Sequence, residues 1–195
     1  MGRVVLRAAL PLVVAFGVMW TPTYAAGPNA VPIQIQDQCQ PATFNAAVAP
    51  GACVGNGAVT FTQFLSEVTQ LGRAPQWQFV PAQVHVSVGQ SFVATNMGGE
   101  THTFTEVERF GGGIVPALNA AAGFPSLAPE CSSGALDGKL LNGIQTLVPA
   151  AGFLASVVPP GGQFTDTETA DDLGHPVLYQ CCIHPWMHEV ITVDP

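Results

Sequence analysis

The sequence predicts an all-β protein, a β-sandwich that also carries one short helix near its N-terminus and one long loop insertion. Three observations predict it. Apolar and polar residues alternate in short runs from Trp77 onward, Gly and Pro (21 and 17 residues) separate those runs, and a single stretch shows helical spacing. A chain that is 48% hydrophobic and 9% charged is too apolar for a disordered segment, and this much Gly and Pro punctuates it too often for a helical bundle.

The first 25 residues read as a cleaved export signal. Arg3 and Arg7 form a positive start, Ala8 to Trp20 is apolar, and Thr23-Tyr24-Ala25 places small residues where a signal peptidase looks. The apolar stretch falls short of the roughly 20 residues that a membrane-spanning helix needs. Residues 26–75 read as a leader. It is irregular through Gly57, where Cys39 and Cys53 are close enough to staple a loop. A helix then runs over Thr60 to Leu71, where Phe61, Phe64, Leu65, Val68 and Leu71 recur at helical spacing, Thr60 and Gln63 can form a capping box, and Gly72 can end the last turn.

The sandwich proper is expected over 76–195. Trp77 and Phe79, then Val84, Val86 and Val88, then Phe92 and Ala94 alternate with polar residues, interrupted at Pro81 and at Gly89-Gln90. His102 to Val107, Val177 to Gln180 and Val190 to Val193 continue the pattern. Between them, 111–149 contains three consecutive glycines, Cys131 and no clear period, which marks an insertion too long for an ordinary loop. Leu154 to Val158 reads as a strand leading into the Pro159-Pro160-Gly161-Gly162 turn.

Charge excludes one class of function. Five Lys and Arg face 13 Asp and Glu, a formal charge of -8, and no basic run exists to bind a polyanion such as nucleic acid. Without Arg3 and Arg7 three cations remain against the same 13 anions, or -10. Five cysteines in an exported chain leave one unpaired, and a thiolate that holds a metal is a reason to keep it so.

The informative stretch is Tyr179-Gln180-Cys181-Cys182-Ile183-His184-Pro185-Trp186-Met187, which sets a thiolate, an imidazole and a thioether at three-residue intervals between two strands. Sulfur ligands favour Cu(I), and a trigonal pair of histidines and a cysteine with a weak axial Met is an electron-transfer copper arrangement. His102, which follows the glycine-bearing turn Asn96 to Thr101, is the best second histidine. His85, His175 and His188 read as surface residues.

In that order of motifs the sequence resembles the cupredoxin family, its plastocyanin- and amicyanin-like blue copper branch, over about 77–108 and 159–193. The resemblance implies a Greek-key sandwich and one type 1 copper ion held by His102, Cys181, His184 and Met187. It further implies a near-surface His184 that serves as the electron portal, with Pro185 and Trp186 stiffening and drying the loop. Cys181 rather than Cys182 keeps the family's two-residue gap to the histidine. Cys182 is then left for Cys131, beside a Cys39–Cys53 bridge; a vicinal Cys181–Cys182 bridge, which is strained, would abolish the thiolate. The implied function is a periplasmic or secreted single-electron carrier, monomeric, without a transmembrane segment after cleavage, whose redox partners present a basic docking surface. The rival readings are copper storage or delivery, and an accessory copper domain of an oxidoreductase system. An enzyme would need further His clusters, and no His-x-His pair exists. The separation of 79 residues from His102 to Cys181 exceeds the spacing in small cupredoxins.

Overall fold

The computed structural model describes residues 29–195, so the export signal expected at 1–25 lies outside the described residues. The chain opens with β1 (Val31–Gln36), α1 (Pro41–Ala47) and α2 (Phe61–Leu71), followed by β2 (Gln78–Val80), β3 (Gln83–Ser87) and β4 (Ser91–Asn96). Two short strands, β5 (His102–Thr103) and β6 (Thr105–Val107), precede α3 (Pro116–Ala122), and the hairpin β7 (Ser132–Leu141) and β8 (Ile144–Pro149) follows. The chain then forms α4 (Ala151–Ala155), β9 (Val157–Val158), β10 (Gln163–Thr167), β11 (Pro176–Gln180) and β12 (His188–Asp194).

Two four-stranded sheets face each other, ordered β10-β4-β1-β2 and β3-β12-β11-β6. Most neighbours are antiparallel, but β1 lies parallel to β4 and β3 parallel to β12, so the chain crosses between sheets rather than meandering. Period-two alternation makes this possible: Ile33, Ile35, Phe79, Phe92 and Ala94 from one sheet, and Val84, Val86, Tyr179, Ile191 and Val193 from the other, are buried between them. Phe104 joins the two halves. Its ring centroid lies 4.8 Å from Phe79 and 4.7 Å from Tyr179, within the range where aromatic pairs contribute beyond their buried area.

Within the stretch expected as an irregular leader, the described residues form one strand and one helix, Val31–Gln36 and Pro41–Ala47. Val31–Gln36 is a central strand whose neighbours are β4 and β2, and Ile33-Gln34-Ile35-Gln36 alternates as a half-buried strand should. In α2 the Thr60 side chain accepts from the Gln63 N–H and Gly72 closes the helix with φ of 70°. The Gln63 side chain turns instead to Glu67, so only half of the capping box forms. Phe64 and Val68 are buried while Leu65 and Leu71 are exposed, because the apolar stripe is wider than the face the sandwich covers. The insertion at 111–149 contains α3 and the β7–β8 hairpin, and of Leu154 to Val158, expected as a strand, the first two residues end α4 while Val157–Val158 form β9. No helix among the described residues is long and apolar enough to cross a membrane.

One outer cluster makes the fold sensitive to pH. Buried Glu168 faces the Tyr179 hydroxyl at 3.5 Å, with Asp166 also within 3.3 Å of that hydroxyl. Burial, then the charges of Asp172, Asp166 and Glu106, push Glu168 up to about 7. The folded chain therefore holds this proton more tightly than the unfolded chain, and stability falls as pH rises from about 4.5 through about 7. Thermal unfolding of Glu168→Gln should show a higher Tm than the parent above that window and a vanishing difference below it. An equal difference at every pH would count against this account.

Candidate metal centre

Three residues from two distant stretches meet at one end of the sandwich. Strand β4 ends at Asn96, the turn Met97 to Thr101 reverses the chain, and β5 begins with His102, whose ring is fully buried. From the facing sheet, β11 ends at Gln180 and delivers Cys181, also fully buried. The following loop closes on itself: the Cys181 N–H donates to the Met187 carbonyl at 3.1 Å and the Met187 N–H to the His184 carbonyl at 3.0 Å. That closure folds His184 back over Cys181, so Cys181 Sγ lies 3.7 Å from His102 Nδ1 and 3.8 Å from His184 Nδ1. The three donor atoms all lie within 4.8 Å of one another.

These separations fit a metal ion. A first-row ion that holds a thiolate at about 2.3 Å and an imidazole at about 2.0 Å, with 120° between them, places sulfur and nitrogen about 3.7 Å apart. The donor set, two imidazoles and a thiolate with a thioether in the same loop, is the softer mixture that suits copper. Met187 is buried at 1% exposure on that loop. The Thr103 N–H points at Cys181 Sγ from 3.5 Å, a hydrogen bond that favours the thiolate.

A carboxylate behind His102 fixes which nitrogen faces the sulfur. Asp37 Oδ2 lies 2.9 Å from His102 Nε2, leaving Nδ1 turned toward Cys181. The same carboxylate accepts backbone N–H bonds from Cys39, Gly99 and Glu100 at 3.0 to 3.1 Å. Gly98 and Gly99 permit the approach: a Cβ on Gly98 would collide with the Asp37 carboxylate, and one on Gly99 with the Gly55 backbone and the Cys39 sulfur. Burial alone would raise the Asp37 carboxyl, but the hydrogen bond and charge of His102, then the Glu100 and Cys39 amides, hold it well below the usual carboxylate range. Burial opposes a charged His102, yet Asp37 and Cys181 lift that ring to about 10. For Cys181 burial again opposes charge and is overridden, by His102 and His184, so the thiol lies well below its usual value. Glu100 behaves oppositely: its burial outweighs the nearby histidines and the Trp77 N–H, and its carboxyl is raised.

The structure thus brings together His102, Cys181 and His184. It does not leave His184 near the surface, as the family resemblance implied, for the residue is 3% exposed. Phe64, Trp77 and Trp186 surround its ring at centroid distances of 5.6 to 6.4 Å; Trp186 comes from the ligand loop itself, Trp77 precedes β2, and Phe64 comes from α2, which lies outside the stretches that carry the resemblance. Pro185 is buried and Trp186 half-buried against that cluster. Among the other histidines, His85 is exposed beside Asp194 at 3.2 Å and His175 is exposed, whereas His188 is half-buried and stacked on Phe110 with centroids 3.7 Å apart. Asp37 and Glu100 were not singled out from sequence. The alternation of Ile33 to Gln36 could have marked the strand that carries Asp37, but nothing in a linear chain shows which distant ring a carboxylate faces.

Cysteine pairing isolates the candidate ligand. Cys39 is bonded to Cys53 and Cys131 to Cys182, leaving Cys181 as the free thiol. The second bridge ties the insertion to the ligand loop, and the Ile114 N–H adds a 2.7 Å bond to the Cys182 carbonyl. Alkylation of unfolded, unreduced, metal-free protein should label Cys181 alone, and mass mapping that finds modified Cys131 or Cys182 would contradict the pairing.

No protein-family model matches the chain, and no curated protein matches it. Among solved structures it is similar to a purple cupredoxin from Nitrosopumilus maritimus, with 14% identity over 84% of this chain and 99% of that one and a TM-score of 0.39. It is also similar to an oxidized amicyanin variant, with 10% identity over 87% and 86% of the two chains and a TM-score of 0.38. A second amicyanin variant, in its reduced Cu(I) form, gives 16% identity over 62% and 76% and a TM-score of 0.33. With scores this low, the reading of the centre rests on the residues themselves.

Proposed function

We propose that the protein is an exported type 1 copper protein that carries single electrons and catalyses no reaction of its own. The observation that carries the reading is the convergence of His102 Nδ1, Cys181 Sγ and His184 Nδ1 at trigonal spacing, with the far nitrogen of His102 claimed by Asp37. His102, Cys181 and His184 would hold one ion, with Met187 as the weak fourth ligand. Bound copper supplies a one-electron change between Cu(I) and Cu(II).

The chain's own residues do the rest. Strands β5 and β11, in separate sheets, hold His102 and Cys181 so that neither moves far when charge changes, which suits fast electron exchange. Asp37 orients His102, the Thr103 amide supports the sulfur, and Phe64, Trp77 and Trp186 pack around the His184 ring and hold it in place. A mature charge of -10 suits partners with a basic docking surface, and the two disulfides suit a periplasmic or secreted location.

Copper-loaded mature protein should show an intense visible sulfur-to-copper band and a narrow copper hyperfine splitting in electron-spin resonance, and it should keep its ion through repeated reduction and oxidation. A weak band with wide splitting would overturn the copper assignment. Loss of the ion at each cycle would replace electron carriage with copper storage or delivery.

A further inference from the structure

Buried His184 does not end the path to solvent. Above its ring lies a cavity of about 440 Å³, walled by Phe44 of α1, Phe64 of α2, Leu118 of α3, Ile144 of β8 and Ile183 of the ligand loop. Small-molecule sites occupy roughly 300 to 1,000 Å³, are mostly apolar and carry a few placed polar groups. An apolar void of about 150 Å³ already holds benzene.

The polar groups of this cavity are few and concentrated. Glu100 Oε2 accepts the Trp77 indole N–H at 2.6 Å and stands 3.7 Å from His184 Nε2. Its Oε1 has no hydrogen-bond partner among the described residues, in a side chain 11% exposed and lining the cavity. No Lys or Arg lines the cavity, and the one basic ring there, His184, is already faced by Glu100, so an anionic guest would meet a carboxyl group rather than a free cation. Nor can a protein surface reach the ring of a histidine that is 3% exposed beneath this chamber. Phe44, Phe61 and Phe64 instead offer ring edges and faces to a flat aromatic guest.

We propose that this cavity binds a neutral, single-ring aromatic molecule bearing a hydroxyl, with phenol as its simplest member, whose O–H donates to Glu100 Oε1 beside His184. The inference deepens the electron-carrier reading, because the guest would lie against a candidate copper ligand, but its binding site stands on the cavity alone.

The test uses mature Cu(I)-loaded protein, followed through the methyl resonances of Leu118, Ile144 and Ile183. Phenol should give saturable shifts at those methyls, and benzoate should bind at least about tenfold more weakly, since its charge lacks a partner there. Ala117→Trp, which adds an indole to the cavity wall at an exposed position, should abolish the shifts while the visible band of the oxidised protein persists. Val48→Phe serves the same purpose if that variant folds poorly. Absence of saturation, equal binding of benzoate, or shifts that survive the filling variant would overturn the proposal. A missing visible band with intact phenol binding would sink the copper reading instead.

Discussion

Cys181→Ser should remove the intense visible band of the copper-loaded protein altogether while leaving the fold in place. The substituted atom sits in a fully buried site of nearly equal volume, so the fold should persist, at a cost in the metal-free state of about 1 to 3 kcal/mol because a neutral hydroxyl no longer offers His102 and His184 an anionic partner. The chemistry changes completely. A thiol here is held well below its usual range, because His102 and His184 override the effect of burial, and so it can meet a metal as an anion. A serine hydroxyl in the same place remains neutral and hard, a poor match for Cu(I). Absorption and electron-spin resonance on both proteins at equal copper content check this. A band that survives the substitution would remove Cys181 from the centre and leave the electron-carrier reading without its ligand.

Asp37→Ala should cause the largest loss of stability of any single change near the centre. The carboxylate accepts from three backbone amides, those of Cys39, Gly99 and Glu100, and stands against His102 Nε2, all buried. Its removal orphans these groups together and leaves a buried ring whose charged partner is gone, a defect that costs about 3 to 5 kcal/mol. For a chain of this size that corresponds to a fall in Tm of roughly 6 to 20 °C. Asp37→Asn retains one carbonyl oxygen and should recover part of the loss. The ring of His102 would also be free to turn, so the visible spectrum of the copper-loaded alanine variant should shift as well as weaken. A Tm within about 2 °C of the parent would show that these contacts are replaced by water at little cost.

Much of the sandwich was legible because strand alternation is a local property. Trp77 to Ala94 and Val177 to Val193 show the period that a half-buried strand requires, whatever they pair with, and β2, β3, β4, β11 and β12 appear there. What was not legible in 26–57 was β1, whose alternation over Ile33 to Gln36 is interrupted at Pro32 and stands amid Pro, Gly and Asn, although it is as long as β4 and Ile33 and Ile35 are among its most buried residues. The insertion at 111–149 hid α3 and a hairpin for a related reason. Its Gly residues break periodicity, and its order comes from the Cys131–Cys182 bridge and from backbone bonds to the ligand loop, which are long-range.

For the centre, the kinds of donor atom and their succession were present in the chain itself. Affinity for a soft metal belongs to the side chains, and a three-residue spacing on a short loop already brings Cys181 and His184 to the same side. What the linear order could not decide was the surroundings. Asp37 reaches His102 across 65 positions, and helices α1 and α2 close over His184 from a segment far from the Cys-x-x-His loop, making a chamber where the family resemblance implied an open surface. Such contacts depend on how the sheets cross and on which glycines let two backbones approach, so they exist only after the whole chain has folded.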